Sequence, residues 1–232
     1  MATRRGKLRA AAVAVLLLAG SAGAAVPASA APAAGRRVPG ETVTAQFSEL
    51  IDALPVAPED RTGYVRTAFR HWNAGLDPAD GCDTRREVIL SEALVAPEVG
   101  PRCALVGGVW FSPYDDRTIT DATKIDVDHL APLAEAWDSG ASKWTAAERE
   151  AYANDQGDSR TLIAVSYQSN RQKADKDLAE WLPTAAYQCR YAEDWTAVKT
   201  RWGLAVDDIE LAALRRIAAG CEDVPITVTL AR

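Results

Sequence analysis

Apolar positions recur at helical spacing over residues 43–54. Val43, Phe47, Leu50, Ile51 and Leu54 fall on one side, and Pro55 ends the pattern. The same periodicity predicts a second helix over 62–73, with Val65, Phe69 and Trp72 on one side. Asp77-Pro78-Ala79-Asp80-Gly81 has turn chemistry, and 84–94 fits helix and strand equally well. The middle of the chain changes character. Residues 103–112 (CALVGGVWFS) are rich in strand formers, Tyr114–Arg117 reads as a turn, and 119–128 (ITDATKIDVD) predicts a second strand. Ile125 and Val127 alternate with Asp126 and Asp128, which sets two carboxylates on one face and two apolar side chains on the other. That strand runs into His129.

Downstream, Thr145-x-x-Glu148 is a capping box opening a helix to Ala153, and 161–165 (TLIAV) predicts a short strand. Ser169-x-x-Gln172 is a further capping-box pattern, which places Asn170 in the first turn of a helix. The tail predicts two helices. One carries Tyr191, Trp195, Val198 and Trp202; the other opens with Asp207-x-x-Glu210 and ends near Gly220. Central strands wrapped by helices, with no internal repeat, describe an α+β domain.

The N-terminus changes where that domain is expected to work. Arg4, Arg5, Lys7 and Arg9 precede an apolar run from Ala10 to Ala19, and small residues lead to Ala28-Ser29-Ala30. A basic start, a short apolar middle and an A-x-A end describe a secretory signal peptide over 1–30. Arg4-Arg5 also fits a twin-arginine signal, but Gly6-Lys7 favours the general route. Residues 31–40 read as a flexible leader. Residues 41–232 then form a single domain, extracellular and with no membrane segment in its mature form. Cys82, Cys103, Cys189 and Cys221 fit export, being even in number, widely spaced and without a C-x-x-C pair. Of three possible pairings, the nearest-neighbour one, Cys82–Cys103 and Cys189–Cys221, is expected. Each bond contributes about 3 kcal/mol in the chain-entropy model.

Only two histidines occur, His71 and His129, which excludes a three-histidine zinc site. Nothing near His71 offers metal-ligand spacing, so a structural role is expected for it. In IDVDHLAPL, Asp128 can hold a hard cation and His129 can take a proton from water. In SNRQKADKD, helical spacing puts Asn170, Lys173 and Asp177 on one face. Asn170 offers a neutral oxygen ligand, while Arg171 and Lys173 offer donors for a phosphate. Arg85 and Arg86 suit either phosphate contact or ordinary ion pairs. The tryptophans fall mostly at helical apolar positions, Trp72, Trp195 and Trp202 among them, which favours core packing. There is no G-x-S-x-G elbow.

Together, D-V-D-H with a following proline and N-R-x-K-x-D resemble the HNH nuclease superfamily, including the HNH domain of RNA-guided CRISPR nucleases. The longer stretches AWDSGA, LIAVSYQSNRQKADKDLAEWLP and CRYAEDWTAVKTRWGL are similar to secreted actinobacterial HNH proteins. Those are related to the C-terminal nuclease domain of GmrSD-type restriction enzymes. The resemblance covers about residues 62–221. It implies a ββα-metal (His-Me finger) core within 103–183, wrapped by helices and stapled by disulfides. It implies Asp128 and Asn170 as ligands of one divalent cation, Mg²⁺ or Mn²⁺, and His129 as general base. Lys173 and Asp175 match the N-x-x-K-x-D element, and Asp126 is a nearby carboxylate. The activity implied is hydrolysis of DNA, with RNA as a further substrate and little sequence preference.

Thr161 departs from the pattern, standing where such proteins carry a central asparagine that positions the histidine. Asn154 is another candidate for that task, and a backbone carbonyl would also serve. Ala174 and Leu178 replace an expected glycine and proline. An inactive secreted binding protein on the same scaffold is therefore the rival, and a toxin delivered to competitors is a third reading. Charge bounds the partner. The chain carries −6, which becomes −10 once residues 1–30 are gone. Residues 169–201 hold six Lys/Arg against five Asp/Glu. Capture of nucleic acid is thus expected to be weak and salt-sensitive.

Overall fold

The first strand and the last pair with each other. In the computed structural model, which describes residues 1–2 and 37–232, β1 (Thr42–Gln46) runs antiparallel to β8 (Pro225–Thr229). Ile226 and Val228 point inward from β8, and Val43 and Ala45 pack beside them. The expected signal peptide, and the leader up to residue 36, lie outside the described residues. Helix α1 (Phe47–Ala53) starts directly after β1, and its N-terminus is closed by Gln46 and Glu49. The single helix expected over 43–54 is thus a strand followed by a helix. Val43 and Phe47 are four residues apart, which imitates a helical repeat across the junction.

The helix expected over 62–73 is absent. Only Arg66–Ala68 make a single 3-10 turn. Val65 is exposed, and Trp72 takes a left-handed φ of +59° that no helix accommodates. Helix α2 (Thr84–Ser91) settles the ambiguous 84–94 segment, and Asp83 accepts a hydrogen bond from the Arg86 amide at its start. The 103–112 stretch is not one strand. It splits into β3 (Ala104–Val106), paired with β2 (Glu98–Gly100), and β4 (Trp110–Ser112), paired with β5 (Arg117–Ile119). Gly107 and Gly108 break it with φ of +71° and +88°, values open to glycine at little cost. The 119–128 strand splits likewise, and its second half is β6 (Ile125–His129).

β6 pairs antiparallel with β7 (Leu162–Ser166), and α5 (Tyr167–Lys173) follows β7 without a loop. Between β6 and β7 lie α3 (Leu133–Asp138) and α4 (Ala146–Ala153). Thr145 and Glu148 form the expected capping box of α4. The β6–β7 pair separates two apolar clusters. Ile125, Val127, Leu162 and Ala164 pack with Val88, Ile89 and Trp110 on the α2 side. Val165 joins the larger cluster built on α1, α6 (Gln188–Trp202) and α7 (Asp208–Ala218). The protein is thus α+β, with four two-stranded antiparallel sheets among its described residues. Disulfides join Cys82 to Cys103 and Cys189 to Cys221, with Cα separations of 5.0 and 5.6 Å. Among the described residues, no helix is long and apolar enough to cross a membrane.

Candidate active site

β6 delivers Asp128 and His129 to one end of the β6–β7 pair, and α5 delivers Asn170 beside them. All three line one pocket of about 300 Å³, together with Arg66, Arg171 and Asp175. The cap of α5 is Ser166, accepting from the Ser169 amide, and not Ser169; α5 therefore begins at Tyr167 and Asn170 closes its first turn. The helix also ends sooner than its pattern suggests. Ala174 turns away with φ +51°, and Asp177 therefore leaves the face shared by Asn170 and Lys173.

The Asp128 side chain is buried, and its known partners all meet one oxygen. Tyr114 donates its hydroxyl to Oδ2 at 2.7 Å, and Lys173 Nζ lies 2.7 Å from the same atom. Burial raises the Asp128 carboxyl above its ordinary range and lowers the Lys173 ammonium below its own, while the ion pair opposes both shifts. Lys173 is wholly buried and also donates to the His129 carbonyl at 3.1 Å. The expectation that Lys173 holds a phosphate is corrected by that burial: it grips the β6 backbone and Asp128, and cannot reach a substrate. Arg171 is exposed at the pocket, with its guanidinium 4.9 Å from the Tyr167 ring centre. Arg66 is exposed at the same pocket, and its segment, read as helix, gave no hint of that place.

His129 Nε2 lies 2.9 Å from the carbonyl oxygen of Ala153 at the end of α4. An Nε2–H donated there leaves Nδ1 unprotonated, as the acceptor nitrogen. The imidazole stacks between Trp72 and Tyr152, at 5.2 and 6.4 Å between centres and 26° and 23° between planes. Burial, the first cause, pushes its pKa down to about 3, and the positive charges of Arg66, His71 and Lys173 add to the shift. The ring is therefore neutral at ordinary pH.

Thr161 makes no hydrogen bond to the ring. Its hydroxyl donates to Asp155 at 3.0 Å, and its carbonyl accepts from the Leu130 amide. Asn154 does not orient the ring either. It accepts from the Asn73 amide and donates to the Arg70 carbonyl, both at either side of Trp72. Asn154 thereby pins the segment that lays Trp72 on His129. His71 is anchored to the Phe69 carbonyl at 2.8 Å and meets Trp72 edge-on. Asp126 lies 3.3 Å from the Asn170 amide and 3.4 Å from Arg85. Arg85 also donates to the Ile125 carbonyl, and Arg86 pairs with Asp83, so both arginines serve local contacts.

The donor set suits a hard cation: a carboxylate with Oδ1 outside the hydrogen bonds just described, and an amide oxygen, in one pocket. Tyr114, Trp72, Arg66 and the Ala153 carbonyl were not expected at the site. A carbonyl has no side-chain signature, and the other three lie in segments outside the long helices and strands.

Residues 102–217 match the family model described as GmrSD restriction endonucleases, C-terminal domain. A fungal protein from Arthroderma benhamiae, named only as an uncharacterized secreted protein, is 37% identical over 174 residues. The match covers 74% of this chain and 83% of that protein. No solved structure matches the chain.

Proposed function

The chain belongs to the family of GmrSD restriction endonuclease C-terminal domains, and on that premise we propose that it is a secreted, metal-dependent nuclease that hydrolyses phosphodiester bonds. DNA is the substrate class, with RNA as a further one and low sequence preference. The observation that carries the reading is the imidazole of His129. Its Nε2 is held by the Ala153 carbonyl, and the residue lines one pocket with Asp128 and Asn170. The core that holds them is β6, β7 and α5, the strand–strand–helix order of an HNH nuclease.

Asp128 and Asn170 would hold one divalent cation, Mg²⁺ or Mn²⁺. When bound, it supplies Lewis-acid stabilisation of charge on the phosphate. His129 Nδ1 accepts a proton from the attacking water. Trp72 and Tyr152 keep the ring plane fixed while it does so. Tyr114 and Lys173 hold Asp128 through Oδ2, which keeps Oδ1 free for a ligand. Arg66 and Arg171 bind neighbouring phosphates from the pocket wall. The rival, a binding protein without catalysis, rested on Thr161. The backbone carbonyl of Ala153 at His129 supports the catalytic reading instead, since it can orient the imidazole without an asparagine. Secretion is supported by two disulfides, which persist in oxidising compartments, and by the name of the fungal relative.

Plasmid degradation with Mg²⁺ or Mn²⁺, with and without EDTA, tests the reading. His129→Ala is expected to lower cleavage by about 10²–10⁴-fold, the range for losing a general base, with its circular dichroism unchanged. Cleavage at the wild-type rate in that variant, or full activity in EDTA, overturns it.

A further inference from the structure

A second group of carboxylates lies outside the pocket. Glu59, Glu135 and Asp138 each bring one oxygen within 4.8 Å of the others. They come from two segments, Glu59 from the chain after α1 and the other two from α3. Asp138 enters the group with its side chain 1% exposed. Arg61 bonds only its Oδ2, at 2.5 Å. Its Oδ1 is buried with no hydrogen-bond partner in the structure. A buried carboxylate oxygen without a donor is costly, and native proteins rarely leave one.

The local charge also does not close. Lys199 is wholly buried between Glu135 and Glu210, and Arg61 faces Asp138. With Glu59, four carboxylates face two cations in formal charge. Asp177 and Asp207 add to the negative field at Glu59. A divalent cation would offset that formal excess and would give Asp138 Oδ1 a partner.

We propose that Glu59, Glu135 and Asp138 form a structural divalent-cation site, calcium by its chemistry, separate from the Asp128–Asn170 pocket. Calcium accepts irregular all-oxygen shells and bidentate carboxylates, whereas magnesium demands a tight octahedron. Glu59 is exposed and gives an ion a way in. A bound ion would tie the segment after α1 to α3, whose first residue lies four positions beyond His129.

The test uses the full disulfide-bonded chain, stripped with EDTA and then given calcium at about 5 mM, above the range of extracellular sites. Terbium serves as a second probe, sensitised through Trp137, the chain neighbour of Asp138. Wild type and Asn170→Ala are expected to gain several degrees in melting temperature with calcium and to light terbium. Glu59→Gln, which changes an exposed side chain and so should fold, is expected to do neither. Asp138→Asn, checked by circular dichroism, is expected to behave like Glu59→Gln. The proposal fails if wild type does not respond or if Glu59→Gln responds as wild type does. It also fails if Asn170→Ala loses the response, since the ion would then sit in the other pocket.

Discussion

Two lysines are wholly buried, and they are held differently. Lys199, in the helical scaffold, meets Glu135 and Glu210 at 2.6 Å, Ser139 at 2.9 Å and the Ala205 carbonyl at 2.7 Å. Lys173, in the candidate site, meets one carboxylate, Asp128, and one carbonyl. Their pKa values move in opposite directions. Two carboxylates outweigh burial and raise Lys199, while burial outweighs one carboxylate and lowers Lys173. A surplus of acceptors locks a helix pair in place. A single shared acceptor leaves the other oxygen of Asp128 to a ligand. Lys199 finds all its partners within the chain, whereas Asp128 keeps one oxygen outside its bonds to Tyr114 and Lys173.

The sharpest way to break that contrast is to remove each ammonium in turn. Lys199→Met strands two buried carboxylates and is expected to cost about 3–5 kcal/mol in chemical denaturation, the range for a broken buried pair. Lys173→Met strands one carboxylate, which keeps its Tyr114 hydrogen bond and borders an open pocket. A smaller loss, about 2 kcal/mol, is expected, below that range because water can reach the group. With Glu59→Gln added to both variants to silence the second carboxylate group, Mn²⁺ should restore part of the melting temperature of Lys173→Met and none of that of Lys199→Met. Equal losses, with no response to the ion in either variant, would erase the distinction.

How much of each region was legible follows from the kind of signal it left. The alternation Ile125-Asp126-Val127-Asp128 is a property of the strand itself, and it located β6, its two faces and the Asp128–His129 pair. The caps at Thr145 and Asp207 are local side-chain bonds, and they located the starts of α4 and α7. Spacing alone misled at 62–73. Phe69 is buried, but it is carried by an irregular segment whose contacts are long-range, so helical spacing there is coincidence. The β1–β8 pair joins residues about 180 positions apart, and no local window contains it. The roles of the site residues divide in the same way. Residue type marked Asp128, His129 and Asn170, which the structure brings to one pocket. Lys173 was misread as a phosphate contact because sequence does not report burial. Thr161 looked like a defect because the group that orients His129 is the backbone of Ala153.

The contrast extends to how the helices end. α6 stops at Gly203 with φ +65°, the usual relaxed exit from a helix. α5 stops one residue past Lys173 at Ala174, with φ +51° and ψ −125°. An alanine pays for that conformation, since its Cβ crowds the backbone, and such positions cost of order 1–3 kcal/mol. Glycine adopts it without strain but loses more backbone freedom on folding, about 0.5–1 kcal/mol. Ala174→Gly is therefore expected to stabilise the protein by about 1 kcal/mol, read as a higher denaturation midpoint with an unchanged slope. At Gly203 the reverse change, Gly203→Ala, should destabilise by a similar amount, because alanine is strained at positive φ. If Ala174→Gly lowers stability instead, the strained exit from α5 is compensated by its surroundings. The site helix would then be as relaxed as the scaffold helix, and the difference between the two regions would reduce to their lysines.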